Sequence, residues 1–65
     1  MSSSTHILII DDEENMRHML SVMLARQGYR VDPAANGEEG LNSLKNNVYD
    51  YILWEKIVTV LYISQ

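Results

Sequence analysis

Two adjacent carboxylates, Asp11 and Asp12, follow directly on the apolar run Ile7-Leu8-Ile9-Ile10, and Glu13 and Glu14 prolong the acidic stretch. A short aliphatic run between a Ser-rich start and an acidic stop reads as a strand buried on both faces. Carboxylates at the C-terminal end of such a strand lie where open parallel sheets place their ligand crevice. The chemistry that suits them is that of a hard cation. Paired carboxylates repel each other, and Mg²⁺ takes oxygen ligands, often one or two carboxylates together with waters and a phosphate. The same residues also suit a helix start, where they complement the helix dipole, and spacing alone does not choose between the two. Other reactive groups are few. There is no Cys, hence no disulfide and no thiolate metal site, and His6 and His18 show no metal-ligand spacing and read as solvated.

The elements that must position the acidic pair follow from the change of period after it. Met16, Leu20, Met23, Leu24 and Gln27 recur at helical spacing, with Arg17, His18, Ser21 and Arg26 off the stripe. An amphipathic helix is expected over about 14–27, with carboxylates at its positive end, Arg26 in its last turn and Gly28 as the residue that stops it. Met16, Met19 and Met23 read as core or dimer packing. A second strand, Tyr29-Arg30-Val31-Asp32, runs into Pro33, which cannot donate to a ladder and so confines it to an edge or marks the strand's end, with the edge preferred. Asn36-Gly37 signals a turn. Residues 38–45 read as a short helix with Leu41 and Leu44 inward and Gly40 as a weak point, and Asn46-Asn47 ends it. Tyr49-Asp50-Tyr51-Ile52-Leu53-Trp54 is strand-like, and Ile57-Val58-Thr59-Val60-Leu61-Tyr62-Ile63 is more so. The alternation β-α-β-α-β predicts an α/β fold with parallel strands and right-handed crossovers.

Taken in order, Ile7-Leu8-Ile9-Ile10-Asp11-Asp12-Glu13, the helix ending Gln27-Gly28-Tyr29-Arg30-Val31, Ala35-Asn36-Gly37-Glu38-Glu39-Gly40-Leu41 and Tyr49-Asp50-Tyr51-Ile52-Leu53 resemble the receiver domain of bacterial two-component response regulators. The resemblance covers about residues 7–53, roughly the first half of a receiver. It implies a flavodoxin-like fold with sheet order 2-1-3-4-5, of which these elements supply the order 2-1-3. It also implies that Asp11 and Asp12 hold Mg²⁺ beside a phosphoacceptor aspartate at the end of the third strand, and that a sensor histidine kinase is a partner.

In the family pattern the acceptor falls five residues after Asp50, and here that position is Glu55. Its side chain is one methylene longer than aspartate. It resembles a permanently charged mimic of phospho-aspartate more than a phosphorylatable group, yet it can still reach a cation held by Asp11 and Asp12. The expected metal set is therefore Asp11, Asp12 and Glu55, with no catalytic residue and no enzyme activity. The alternative is a residual receiver that accepts a phosphoryl group on Glu55 or Asp50. After Leu53 the family pattern is lost: Lys56-Ile57-Val58-Thr59-Val60-Leu61-Tyr62 stands where a Met-Pro and a Gly-rich loop are expected. The loss suggests a truncated or frame-shifted receiver gene, and a product without present function remains a third reading.

Composition narrows the rest. The chain has 65 residues, 46% of them hydrophobic and 22% charged, with a net charge of −4. This is a globular composition for one small domain with a modest core, and the acidic balance argues against a phosphate-backbone binder. No apolar run approaches the roughly 20 residues needed to span a bilayer, so no membrane contact is expected and the cytoplasm is the default location. Residues 1–5 are expected to be disordered, 6–55 to form the partial receiver, and 56–65 to form a non-family tail. The tail is too close to the third strand for a parallel crossover and lacks a favoured hairpin turn. A single long strand over about 49–63 would leave an edge that invites another chain. A homodimer or higher oligomer is therefore expected, built on Tyr51, Leu53, Trp54, Ile57, Val58, Val60, Leu61 and Tyr62, with Trp54 as an interface anchor.

Overall fold

The computed structural model describes residues 5–54. Strand β1 spans His6–Ile10, helix α1 Glu14–Arg26, strand β2 Arg30–Ala34, helix α2 Gly37–Asn46 and strand β3 Tyr51–Trp54. The three strands form one parallel sheet in the order β2-β1-β3; the alternation of elements predicts the parallel direction, and the receiver resemblance implies the order.

β1 is the centre of the molecule. All five of its residues are buried, and Leu8 and Ile9 are essentially sealed from solvent. Alternation along the strand divides the two faces. Leu8 and Ile10 join Ala34 in a core cluster beneath α2, with Tyr49 and Trp54 packed against it. β2 lies at one edge of the sheet, the placement preferred from Pro33, but it runs through Pro33 to Ala34, past the expected end at Asp32. The Arg30 amide donates to the Thr5 carbonyl across the β1 side. By alternation the Pro33 nitrogen therefore points to the open edge, where its missing N–H costs nothing.

α1 ends as expected. Gly28 adopts φ +94°, its amide donates to Ala25 O at 3.0 Å, and the Tyr29 amide donates to Leu24 O at 3.2 Å. This is a Schellman closure, which a residue with a Cβ enters only under strain. The inward stripe of α1 differs from the expected one. Arg17, Leu20, Ser21 and Leu24 are half-buried, and no α1 residue is fully buried. Met16, Met19 and Met23 are 37%, 47% and 54% exposed, so they are not core residues of the described fold. The Leu20–Leu24 line is turned inward and the methionines outward.

α2 carries the second correction. Leu41 and Leu44, expected inward, are exposed, and the inward line is Gly37, Gly40 and Ser43. The reason is close approach. A Cβ on Gly40 would lie 2.9 Å from Ile10 Cγ1 and collide with its Cδ1, and one on Gly37 would lie 2.8 Å from the Trp54 ring. The helix can rest this near β1 and β3 only because those positions lack side chains. Asn36, read as a turn residue, is the helix cap: its Oδ1 accepts from the Glu39 amide at 2.9 Å, while Glu39 Oε1 accepts from the Ala35 amide at 2.8 Å. This exchange is close to a capping box.

Candidate functional site

The acidic pair sits where the first strand ends. Asp11 is buried and held from three sides. Its amide donates to Ala34 O at 3.1 Å, its Oδ1 accepts from the Glu13 amide at 2.9 Å, and its carbonyl oxygen accepts from Arg17 Nη1 at 2.7 Å. Asp12 is exposed. The two carboxylates thus divide the work: Asp11 is fixed by the turn that leads into α1, and Asp12 faces solvent. Arg17 was read only as a residue off the apolar stripe, and no local sequence signal marks its reach back over a helical turn and a half to the Asp11 carbonyl.

β3 brings its C-terminal end to the same side of the sheet. Parallel register sets Ile10 level with Trp54. Trp54 is half-buried, packs against the core cluster and covers Gly37, so the structure gives it a core-packing role beside the acidic pair. Glu55 is the next residue in the sequence and lies outside the described residues, as do Ile57, Val58, Val60, Leu61 and Tyr62. Among the described residues no three His, Cys, Asp or Glu side chains gather as a metal site. The donors present, one anchored and one exposed carboxylate, are hard oxygens of the kind Mg²⁺ takes alongside waters. A shallow cavity of about 200 Å³ lined by Glu14, Arg17, His18, Ser21 and Pro33 opens beside α1.

Asp50 belongs elsewhere. Its Oδ2 accepts from the His6 amide at 2.8 Å, and its own amide donates to His6 O at 2.8 Å. These bonds tie it to the start of β1, which at roughly 3.3 Å per residue lies about 16 Å from the acidic pair. Asp50 is therefore a strand-start clamp and does not join Asp11 and Asp12.

The same end of the sheet overturns the reading of His6 as solvated. His6 is 8% exposed. Its Nδ1 lies 3.1 Å from Val48 O, its Nε2 lies 2.9 Å from Asp32 Oδ2, and its ring sits 4.3 Å from the Tyr49 ring, centroid to centroid. Tyr49 donates its hydroxyl to the same Asp32 oxygen at 2.6 Å. That hydroxyl, opposed by partial burial and aided by His6, holds the Asp32 carboxyl below its ordinary value. Burial, then the carboxylate beside it, pushes the Tyr49 phenol up. His18 is exposed on α1, as expected.

At the outer edge of the sheet, Tyr51, Ile52 and Leu53 are 64%, 45% and 42% exposed. β1 is the only strand paired with β3 among the described residues. No helix among the described residues is long and apolar enough to cross a membrane.

Comparison with known proteins agrees with this geometry. The family model for the response regulator receiver domain matches residues 7–56. A probable transcriptional regulator, ycf27, of Cyanidium caldarium is 44% identical over 48 residues, covering 74% of this chain and 19% of the relative. The response regulator ArlR of Staphylococcus aureus is 37% identical over 49 residues, covering 75% of this chain and 22% of the relative. The chain thus spans about a fifth of the length of the curated relatives it matches. No solved structure matches it. A parallel β2-β1-β3 sheet with an anchored acidic pair at the end of its central strand, together with a family match over most of the sequence, makes this chain a member of the response regulator receiver family.

Proposed function

We propose that this chain is a receiver-like signalling module that does not undergo phosphotransfer and that self-associates through β3 and the segment following it. Receivers generally bind Mg²⁺ at the phosphorylation site and typically interact with histidine kinases. The observation that carries the reading is the meeting of the anchored Asp11 with the end of β3, followed in sequence by Glu55 where the family has an aspartate. Asp11, Asp12 and Glu55 would hold Mg²⁺, which would offset the charge these three carboxylates concentrate. Asp11 keeps its position through Glu13, Ala34 and Arg17, and Glu55 supplies a fixed negative charge in place of one that comes and goes. On this reading the module is not an enzyme, its partners are a second copy and a histidine kinase, and it works in the cytoplasm without contact to nucleic acid.

Self-association rests on the edge. β3 presents backbone groups and the exposed side chains of Tyr51, Ile52 and Leu53 outward, and a strand edge of this kind is a template for pairing with another chain. Antiparallel pairing about a two-fold axis would continue the sheet and cover the same surface on both copies.

Two measurements test the parts separately. The intact mass of the chain after incubation with a small acyl phosphate and Mg²⁺ is expected to stay unchanged, and a gain of one phosphoryl group would overturn the loss of phosphotransfer. Light scattering over a range of concentrations is expected to show a dimer for the full chain and a monomer for a chain ending at Glu55. A full chain that stays monomeric at every concentration would overturn the self-association.

A further inference from the structure

The cluster around His6 lies at the opposite end of the sheet from the acidic pair and has no part in the function proposed above. Four groups of His6 are engaged: its amide with the Asp50 carboxylate, its carbonyl with the Asp50 amide, Nδ1 with the Val48 carbonyl and Nε2 with the Asp32 carboxylate. One residue of β1 thereby ties together β2 and the segment that leads into β3. Both ring nitrogens face oxygens that only accept. A carbonyl has no proton to give, and Asp32 already accepts the Tyr49 hydroxyl on the oxygen that faces Nε2. A neutral imidazole has one N–H and one lone pair, so either tautomer sets a lone pair against an oxygen. The imidazolium, with two N–H donors, satisfies both.

We infer that His6 is a pH-dependent clasp: as an imidazolium it holds β2 and the Val48–Asp50 lead-in to β3 onto β1, and loss of its proton breaks one of those ties and loosens β3. Histidine is the side chain whose charge ordinarily changes in the physiological range. Two carboxylates and one guanidinium lie about the ring, and the remaining groups are neutral. Asp32 from β2 and Asp50 from the β3 lead-in are carboxylates that attract a charged ring. Arg30 on β2 stands near Asp32, draws on the same carboxylate and acts in the opposite sense. Tyr49 is a neutral phenol here, and Ser43 of α2 contributes only an uncharged hydroxyl toward it. The tie is complete while the ring is charged and weakens when the ring loses its proton. β3 ends at Trp54 beside Asp11 and Asp12, so the clasp at one end of the sheet sets how firmly the strand is held at the other.

The test is ¹⁵N NMR of the imidazole rings in the full chain from pH 5 to pH 9, read with hydrogen-exchange protection of the β3 amides, Tyr51–Trp54. The exposed His18 is the reference ring in the same spectra. Two protonated nitrogens on His6 are expected at the acid end, with slow ring N–H exchange. Loss of one proton should accompany a fall of about fivefold to tenfold in β3 protection, the size of one net hydrogen bond. In His6→Gln, whose amide carries no titrating proton, β3 protection should not change with pH across this window. A neutral single-tautomer ring at pH 5, or β3 protection that follows the same pH profile in His6→Gln as in the natural chain, would overturn the inference. The ring spectrum of the natural chain decides the protonation state even if the variant does not fold.

Discussion

Replacing Gly40 by Ala sets two effects of known size against each other. In an exposed helix interior this change stabilises by about 1 kcal/mol, through propensity and a stiffer unfolded chain. Here the added methyl would lie 2.9 Å from Ile10 Cγ1 and against its Cδ1, with Leu8 Cδ2 at 3.9 Å. Ile10 is 3% exposed and Leu8 fully buried, so neither has free space to retreat into. Overpacking of this kind costs about 1–3 kcal/mol, and contact with the branch carbon as well as the terminal methyl puts the cost toward the upper end. The net expectation is a loss of about 1–2 kcal/mol, equivalent to a fall in Tm of roughly 4–16 °C for a domain this small. Urea unfolding followed by the fluorescence of Trp54, the sole tryptophan, would measure it at one fixed concentration, because any association adds to apparent stability. Ile10→Val removes Cδ1 and alone should cost about 0.5–1.5 kcal/mol. The double variant should then lose less than the sum of the two by about 1 kcal/mol. A Gly40→Ala chain as stable as the natural one, or more so, would refute the close approach of α2 to β1.

Three further outcomes follow from the same geometry. Asp11→Asn keeps an oxygen that can accept from the Glu13 amide, so Tm should change by only a few degrees, while the Mg²⁺-dependent change in Trp54 fluorescence that the proposed cation site leads us to expect in the natural chain should disappear. Tyr49→Phe removes the principal cause of the lowered Asp32 value. In the natural chain, a carboxyl held below its ordinary 3.8 contributes stability above that pH and loses it as pH falls further. The variant should show a smaller acid-side loss below pH 3.8 in stability curves and should cost less than about 1 kcal/mol at neutral pH, since Asp32 is partly exposed. Leu53→Lys adds a charge to the exposed β3 and should shift the species seen by light scattering from dimer to monomer at equal concentration, with circular dichroism unchanged.

Much of this protein was legible from local chemistry. The aliphatic run from Ile7 to Ile10 reads as a buried strand, Gly28 as the residue that closes a helix whose last turn holds Arg26, and Pro33 favours an edge for β2. Each of these is decided by the residue and its immediate neighbours, so sequence suffices. The ordered set of elements with Asp11 and Asp12 at the end of the first strand likewise carried the family. What tertiary structure decided was which side of each helix faces inward and which polar groups meet. Leu41 and Leu44 are the apolar residues of α2, yet Gly37 and Gly40 face the sheet, because the distance between helix and strand is set by Ile10 and Trp54 and not by the hydrophobicity of the helix. Met16, Met19 and Met23 lie outside the core because α1 turns the line of Arg17, Leu20, Ser21 and Leu24 inward instead. His6, Asp32, Tyr49 and Asp50 are scattered along the chain and converge only when β2 and β3 pair on either side of β1. Parallel pairing joins residues distant in sequence, so their contacts depend on register, which local pattern does not contain.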